Sequence, residues 1–373
     1  MPEEKFLLDA LKLAKRGKGL VSPNPMVGAL VVRGSQIVGR GWHRAYGLPH
    51  AEIEALRQAG SRAKGSTLYV TLEPCCHYGK TPPCVKAIVA AGIKEVVCCI
   101  KDPNPLVDGK GFRFLEEHGI KVRSGWLEKE AMSLNQPYLT RLKKNRPFLI
   151  LKWAMSLDGK IATVSGDSRW LTSEETRAWA KKYRFTCDGI LVGINTILKD
   201  NPRLNFEPPR FQTQQSLLVR KKYTKIVLDS RLRIPESANI FADKQSRVII
   251  FTSEKAPLEK RCQLNRENCT VITVNQAGKY LQLKEVLSHL LSEEIGILLV
   301  EGGHQVLTSF WQERLVDKVM IFIGNKFIGG TKSLSPLGGP DRLNLEPAAY
   351  LKEFSAQTVN DNWLIQGEPC FPG

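Results

Sequence analysis

Strand-length apolar runs alternate with helix-length amphipathic ones along almost the whole chain, and the alternation breaks once, at the polar, basic "RLKKNRP" of 141–147. Alternation of that kind demands helices packed in layers on a sheet. Before the break, "VGALVVR" and "QIVGRGW", separated by "GS", predict a hairpin. A helix from His50, strand "STLYVTLEP", helix "PCVKAIVAAG", strand "EVVCCI" and helices near 109–118 and 127–140 follow. After the break the strand candidates are "FLILKWA", "GILVG", "KIVLD", "RVIIF", "GILLVEGG" and "DKVMIFI", with helices around 173–184, 281–292 and 304–313. The stretch 207–223 is polar and weakly patterned. A length of 373 residues suits two ordinary domains. The expectation is two α/β domains, 1–146 and 147–373, with 141–147 as the linker.

Broad classes are narrowed by what surrounds this pattern. The opening "MPEEKFLLDALKLAKRG" interleaves charge with apolar residues, which predicts an amphipathic helix rather than an export signal. Apolar runs elsewhere are of strand length, so no membrane association and a cytoplasmic location are expected. Nine cysteines, an odd number, point to reduced thiols rather than a disulfide framework. Cys98 and Cys99 in "EVVCCI" read as small apolar core residues. The net charge is +17, and residues 1–146 hold 24 Lys+Arg against 13 Asp+Glu. A basic surface suits nucleic acid or small phosphorylated ligands, and charge alone does not choose.

Two short segments point to metal chemistry: "PHAEIEAL" and "TLEPCCHYGKTPPC". Zinc takes His nitrogen and Cys thiolate, and a catalytic zinc keeps three protein ligands and an open position. His50, Cys75 and Cys84 supply that set, and both thiols follow proline. A helix N-terminus, expected at Cys84, stabilises thiolate. Such an ion lowers the pKa of water to about 7. Glu52, two residues after His50, then reads as the general acid/base, the role a non-ligand Glu has in zinc deaminases. Cys76 could replace Cys75, and a closed structural site using Cys76 or His77 is the competing arrangement. Eight residues separate Cys75 from Cys84 where deaminases of nucleosides or tRNA usually have two, which argues against a nucleic-acid substrate despite the charge.

These motifs resemble those of the bifunctional deaminase/reductase family of riboflavin biosynthesis. "PNPMVGALVV", "HAEIEAL", "TLEPCCHYGKTPPC" and "DPNPLVDGKG" match its amino-terminal half; "LKWAMSLDGKIAT", "SGDSRWLTS", "DGILVGINTILKDNPRL" and "LLVEGG" match its carboxy-terminal half. The resemblance implies a cytidine-deaminase-like layered α/β domain followed by a dihydrofolate-reductase-like α/β domain. It implies zinc-dependent deamination of 2,5-diamino-6-(5-phosphoribosylamino)pyrimidin-4-one, then NADPH-dependent reduction of the ribosyl group. Zinc ligands fall on His50, Cys75 and Cys84, and the proton donor on Glu52. Substrate contacts fall on Asn24, Lys152, Ser168, Arg184, Leu204 and Glu301. NADPH contacts fall on Ala154, Trp170, Thr196, Asp200, Ser230, Gly303, His304, Gln305, Val306, Leu307, Thr308 and Ser309. Asp102 and Asn104 of "DPNP" are turn formers that could line the pocket. Lys152 could polarise a ligand oxygen and Arg184 could pair with the ribose phosphate. A homo-oligomer is implied too.

No G-x-G-x-x-G follows a strand, and the local hint of a phosphate site is Gly302-Gly303 leading from a strand into a helix. Two departures stand out. Family members commonly carry Arg where this chain has Glu207, so Arg203 or Arg210 would have to substitute; and Cys76 stands where Ser is usual. The competing functions are a nucleic-acid deaminase with an accessory domain and a non-catalytic zinc-stabilised module.

Overall fold

The structure, a computed structural model, describes residues 2–208, 221, 223–243, 246–341, 343–346 and 348–372. The chain forms two compact units that divide between Asn145 and Arg146. The first contains α1 (Pro2–Ala14), β1 (Gly28–Arg33), β2 (Gln36–Trp42), α2 (Ala51–Ala59), β3 (Thr67–Leu72) and α3 (Cys84–Ala90). It continues with β4 (Glu95–Ile100), α4 (Lys110–Glu117), β5 (Lys121–Ser124), α5 (Glu128–Leu134) and α6 (Gln136–Lys144).

Its sheet runs β2-β1-β3-β4-β5, with β1 antiparallel to both neighbours and β3, β4 and β5 parallel. Successive side chains of a strand point to opposite faces, and "VVCC" in β4 serves both. Val96 and Cys98 join Ala51, Ala55, Ile88 and Leu115, while Val97 and Cys99 join Leu7, Leu11 and Tyr138. Helix α2 approaches β2 very closely because the strand offers glycine there. A Cβ on Gly39 would lie 2.2 Å from the Ala55 carbonyl oxygen, and one on Gly41 2.1 Å from that of Ala51. That contact fixes the start of α2, where His50 and Glu52 sit.

The second unit opens with β6 (Phe148–Met155), α7 (Glu174–Arg184), β7 (Gly189–Gly193), α8 (Ile194–Asp200), β8 (Thr224–Leu228), β9 (Arg247–Thr252), α9 (Leu258–Leu264) and β10 (Cys269–Thr273). After the small hairpin β11 (Gln276–Ala277) and β12 (Tyr280–Leu281) come α10 (Leu283–Ser292), β13 (Ile297–Glu301), α11 (His304–Gln312), β14 (Lys318–Ile323), β15 (Tyr350–Val359) and β16 (Asn362–Cys370). The nine-stranded sheet runs β10-β9-β8-β7-β13-β6-β14-β16-β15. From β10 to β14 every pair is parallel, and β14, β16 and β15 are antiparallel. Parallel strands carry helices on both faces and are apolar throughout; β7 is fully buried along its length.

The division between the units falls inside 141–147, the run expected as a linker, but most of that run is helix rather than loop. Arg141 to Lys144 form the last turn of α6, which stops where Asn145 turns left-handed at φ 49°. Arg146 is buried and grips Asp317 through Nη1 (2.6 Å) and Nη2 (2.9 Å), while the Leu149 amide donates to the same carboxylate. The basic run is thus the polar face of a helix followed by an anchored cation. Of the polar stretch 207–223, residues 209–220 and 222 lie outside the described residues, and Arg210 with them.

Candidate active sites

In the first unit three elements deliver their ends to one point. Pro49 ends the approach to α2 and leaves His50 as its extended N-cap; Cys75 follows β3; Cys84, after Pro83, opens α3. His50 Nδ1 lies 3.5 Å from Cys75 Sγ and 3.3 Å from Cys84 Sγ, and the three ligand atoms fall within 4.8 Å of one another. Bonds of about 2.0 Å to nitrogen and about 2.3 Å to sulfur at tetrahedral angles put N and S about 3.5 Å apart. The donor set therefore fits a zinc ion. Cys76 is not in this cluster: its thiol is directed to the Leu106 carbonyl, 3.5 Å away. His77 lines the same cleft but stays outside the trio.

Electrostatics favour a thiolate at one of the two sulfurs. A hydrogen bond from Cys84, opposed by burial and aided by His50, brings the Cys75 thiol down to about 4. Cys84 goes the other way, held protonated by its thiolate neighbour and by burial. Glu52 is 3% exposed, and burial pushes its carboxyl above the usual carboxylate range against the pull of His50. A carboxyl shifted in that direction holds a proton more readily than an ordinary one, which suits a group that passes protons on.

Around the trio lies a cleft of about 270 Å³ that collects Asn24, Glu52, Asp102 and Asn104. His43, unremarked in the sequence, orients Asn24. Its ring donates from Nδ1 to the Pro49 carbonyl (3.1 Å) and accepts at Nε2 from the Asn24 amide (3.2 Å). Burial, with His50 nearby, lowers His43 to about 4, so the neutral tautomer holds that pattern. Glu73 of "TLEPCC" is the second unforeseen residue. It accepts four backbone N–H groups, from Asp102 (3.2 Å), Gly109 (3.0 Å), Gly111 (2.9 Å) and Phe112 (3.3 Å). This carboxylate builds the "DPNPLVDGKG" loop, and Tyr138 completes it by donating to Asp102.

In the second unit the carboxyl ends of β6 and β13 carry the polar cluster. Glu301 and Lys152 are register partners across the parallel pair, with Nζ 3.4 Å from Oε2. Arg184, at the end of α7, donates to Glu301 through Nε (2.8 Å) and Nη2 (3.0 Å), and through Nη1 to the Asn205 carbonyl (3.0 Å). Although burial opposes it, the two cations hold the Glu301 carboxyl down at about 2. Arg184, expected to pair with the ribose phosphate, has two of its N–H groups on Glu301 and one on the Asn205 carbonyl. Leu204 is buried at φ 54°, and Asn205 beside it is held by Lys225, whose fully buried Nζ donates to Oδ1 at 2.8 Å.

The remaining positions are placed individually. Ala154 lies on β6 and Thr196 on α8; Asp200 pairs with Arg169 (2.7 Å); the Ser230 carbonyl accepts from Ser253. Trp170 is 55% exposed under the Arg177 guanidinium, and Ser168 is exposed beside it. Gly303 to Ser309 span the N-cap and first turns of α11; nothing lies within 4 Å of a Cβ built on Gly303, so the amides at this helix start are approachable. Such a start suits the phosphates of NADPH. The Leu307 side chain is sealed in the core, leaving only its backbone for a ligand, and Thr308 accepts from the Gly338 amide. Glu207 and Arg203 are both exposed.

Comparison with known proteins decides what frame these sites belong to. A family model described as the RibD C-terminal domain matches residues 147–360. The chain belongs to the RibD family. A model of the cytidine and deoxycytidylate deaminase zinc-binding region matches residues 1–100. The chain is 43% identical over 336 residues to the riboflavin biosynthesis protein RibD of Aquifex aeolicus, covering 90% of each. It is 41% identical over 350 residues to that of Bacillus amyloliquefaciens, covering 94% of this chain and 92% of the relative. Among solved structures, Acinetobacter baumannii RibD superposes with a TM-score of 0.87 at 31% identity. The Thermotoga maritima diaminohydroxyphosphoribosylaminopyrimidine deaminase/5-amino-6-(5-phosphoribosylamino)uracil reductase does so with 0.83 at 34%. Each pair covers 99% of both chains. As a member of the RibD family the chain is a bifunctional enzyme of riboflavin biosynthesis, a deaminase of cytidine-deaminase-like fold followed by a reductase.

Proposed function

We propose that residues 1–145 catalyse hydrolytic loss of the 2-amino group from 2,5-diamino-6-(5-phosphoribosylamino)pyrimidin-4(3H)-one. In the same reading, residues from 146 onward reduce the ribosyl group of the product with NADPH, giving 5-amino-6-(5-phosphoribitylamino)uracil. The carrying observation is the convergence of His50, Cys75 and Cys84 beside a buried Glu52. These three side chains would hold zinc. When bound, zinc supplies the Lewis acidity that makes water a nucleophile near neutral pH. Glu52 would carry a first proton from the attacking water to the ring nitrogen, and then a second, from the hydroxyl so added at C2, to the amino group, which leaves as ammonia as the C2 carbonyl forms. Asn24, with its amide nitrogen committed to His43, presents its oxygen to a ring N–H or amino group. Lys80 and Arg141 at the rim of the cleft supply positive charge for the substrate phosphate.

In the reductase, NADPH supplies the reducing equivalent and lies along Ala154, Trp170, Thr196, Asp200, Ser230 and the start of α11. Lys152, held by Glu301 at only 3.4 Å, is the cation with capacity left to donate to a sugar oxygen. Arg184 and Glu301 act as a fixed pair, with Ser168 and the Leu204 backbone completing the substrate site. A homo-oligomer is supported by β15, an exposed edge strand carrying Tyr350 and Phe354. A cytoplasmic setting is supported by nine free cysteines. Among the described residues no helix is long and apolar enough to cross a membrane.

The test is Glu52→Gln. Zinc content should stay at the wild-type level while deamination falls by about 10²–10⁴-fold, and reduction of supplied deaminated substrate should be untouched. Deamination at an unaltered rate would refute the assignment.

A further inference from the structure

The function above leaves the excess positive charge of the first unit unexplained, and much of it converges on a second groove. This groove, of about 590 Å³, runs along the sheet edge at β2 and shares no lining residue with the deaminase cleft. One wall is Asp9, Lys12 and Leu13 of α1, with Arg16 in the 3-10 turn (Lys15–Gly17) that follows it. The other is Glu54, Arg57 and Gln58 of α2, and the floor holds Ile37, Arg40 and Trp42.

Five cations line it against two acids. Lys12 is paired with Asp9 at 2.9 Å, but Arg44 (3.3 Å) and Arg57 (2.8 Å) must share Glu54. The Arg44 Nε is buried with no hydrogen-bond partner. The Arg40 guanidinium has neither an ion pair nor a hydrogen bond among the described residues; only its backbone amide is engaged, by Gln58. Arg16 and Arg44 stand 5.1 and 4.8 Å from the centre of the Trp42 ring, which holds both guanidiniums in place through its quadrupole. Like charges fixed this closely repel, and the repulsion is relieved when an anion enters. Guanidinium forks match phosphate oxygens in pairs, and the volume is that of a small-molecule site.

We propose that this groove is a second binding site, separate from both catalytic centres, for a small phosphorylated ligand carrying at least two negative charges. A phosphate chain lies across Arg16, Arg40 and Arg44, and the Glu54 side of the groove limits how far it extends.

Inorganic tripolyphosphate is the probe, titrated calorimetrically into the full-length zinc-loaded protein. Saturable binding at one site per chain is expected. The Arg16→Gln/Arg40→Gln variant should weaken it by about tenfold or more, since two exposed charge contacts together are worth that much. Deaminase turnover should be unchanged in this variant, which shows that the unit is folded. Arg184→Gln, which alters only the reductase cluster, should leave the titration as it was. The proposal is overturned if binding survives the double substitution or is lost with Arg184→Gln alone. It is overturned equally if tripolyphosphate does not saturate while a 20-nucleotide single strand binds through the same arginines, which would make the groove a nucleic-acid surface.

Discussion

Replacing Lys225 by Met tests how a buried cation supports the reductase site. Lys225 is 0% exposed, and burial pulls its pKa down while Asp243 partly restores it. Its Nζ donates to Asn205 Oδ1 at 2.8 Å, and lies 3.4 Å from Asp243 and 3.5 Å from the Ile240 carbonyl. Methionine fills nearly the same volume and removes the cost of burying a charge, but it leaves Asn205 Oδ1 and Asp243 without this donor, so the folding free energy should fall by about 1–3 kcal/mol. The function should respond as well. A charge-assisted hydrogen bond contributes about 1.5–3 kcal/mol. The one lost here orients Asn205, whose carbonyl holds Arg184 Nη1, and Arg184 in turn fixes Glu301. If that energy serves to hold the Leu204–Asn205 backbone for substrate, reductase kcat/KM falls by about 10–150-fold, mostly through KM. The assay is steady-state NADPH oxidation on deaminated substrate, with deamination by the same preparation as the internal control. Reductase kcat/KM within threefold of wild type, measured well below the melting temperature of the variant, would refute the chain from Lys225 to Glu301.

Three further outcomes are expected. Glu73→Gln leaves some of four backbone N–H groups facing an amide nitrogen, which should lower the unfolding free energy of the first unit by about 2–3 kcal/mol in urea titrations and reduce deamination. The Glu301 carboxyl, held at about 2 against an ordinary 4.5, contributes stability that is complete above about pH 4.5 and disappears as pH falls towards 2. About 3 kcal/mol is at stake, and Glu301→Gln should flatten that acid limb in pH-dependent denaturation; an unchanged limb would show that other carboxylates govern it. Chelation of the metal should stop deamination while NADPH oxidation on deaminated substrate continues; parallel loss of both would contradict separate sites.

Much of this was legible before any fold was drawn, for identifiable reasons. The parallel strands are continuous apolar runs because both faces are covered, and His50, Cys75 and Cys84 are rare residues with telling proline neighbours. Elements at the sheet margins left no such trace. β5 reads "KVRS", and β15 is exposed along most of its length, so neither has an apolar period to detect. The basic tail of α6 looks like a linker because the outer face of a helix and a solvated loop have the same composition. The Arg184–Glu301 pair left no trace because its partners are 117 residues apart, a separation that no local pattern reports. Glu73, His43 and Lys225 act through backbone groups and neighbouring side chains, and such roles leave no spacing in the chain.

The pairing of Glu301 with Lys152 across β13 and β6 ties chemistry to strand alignment. Inserting one residue upstream within either strand would turn its charged side chain toward the opposite layer, away from its counter-ion. Point changes on the rim can retune such an enzyme, but indels inside these two segments should be tolerated nowhere, even in variants whose hydrophobic packing survives them.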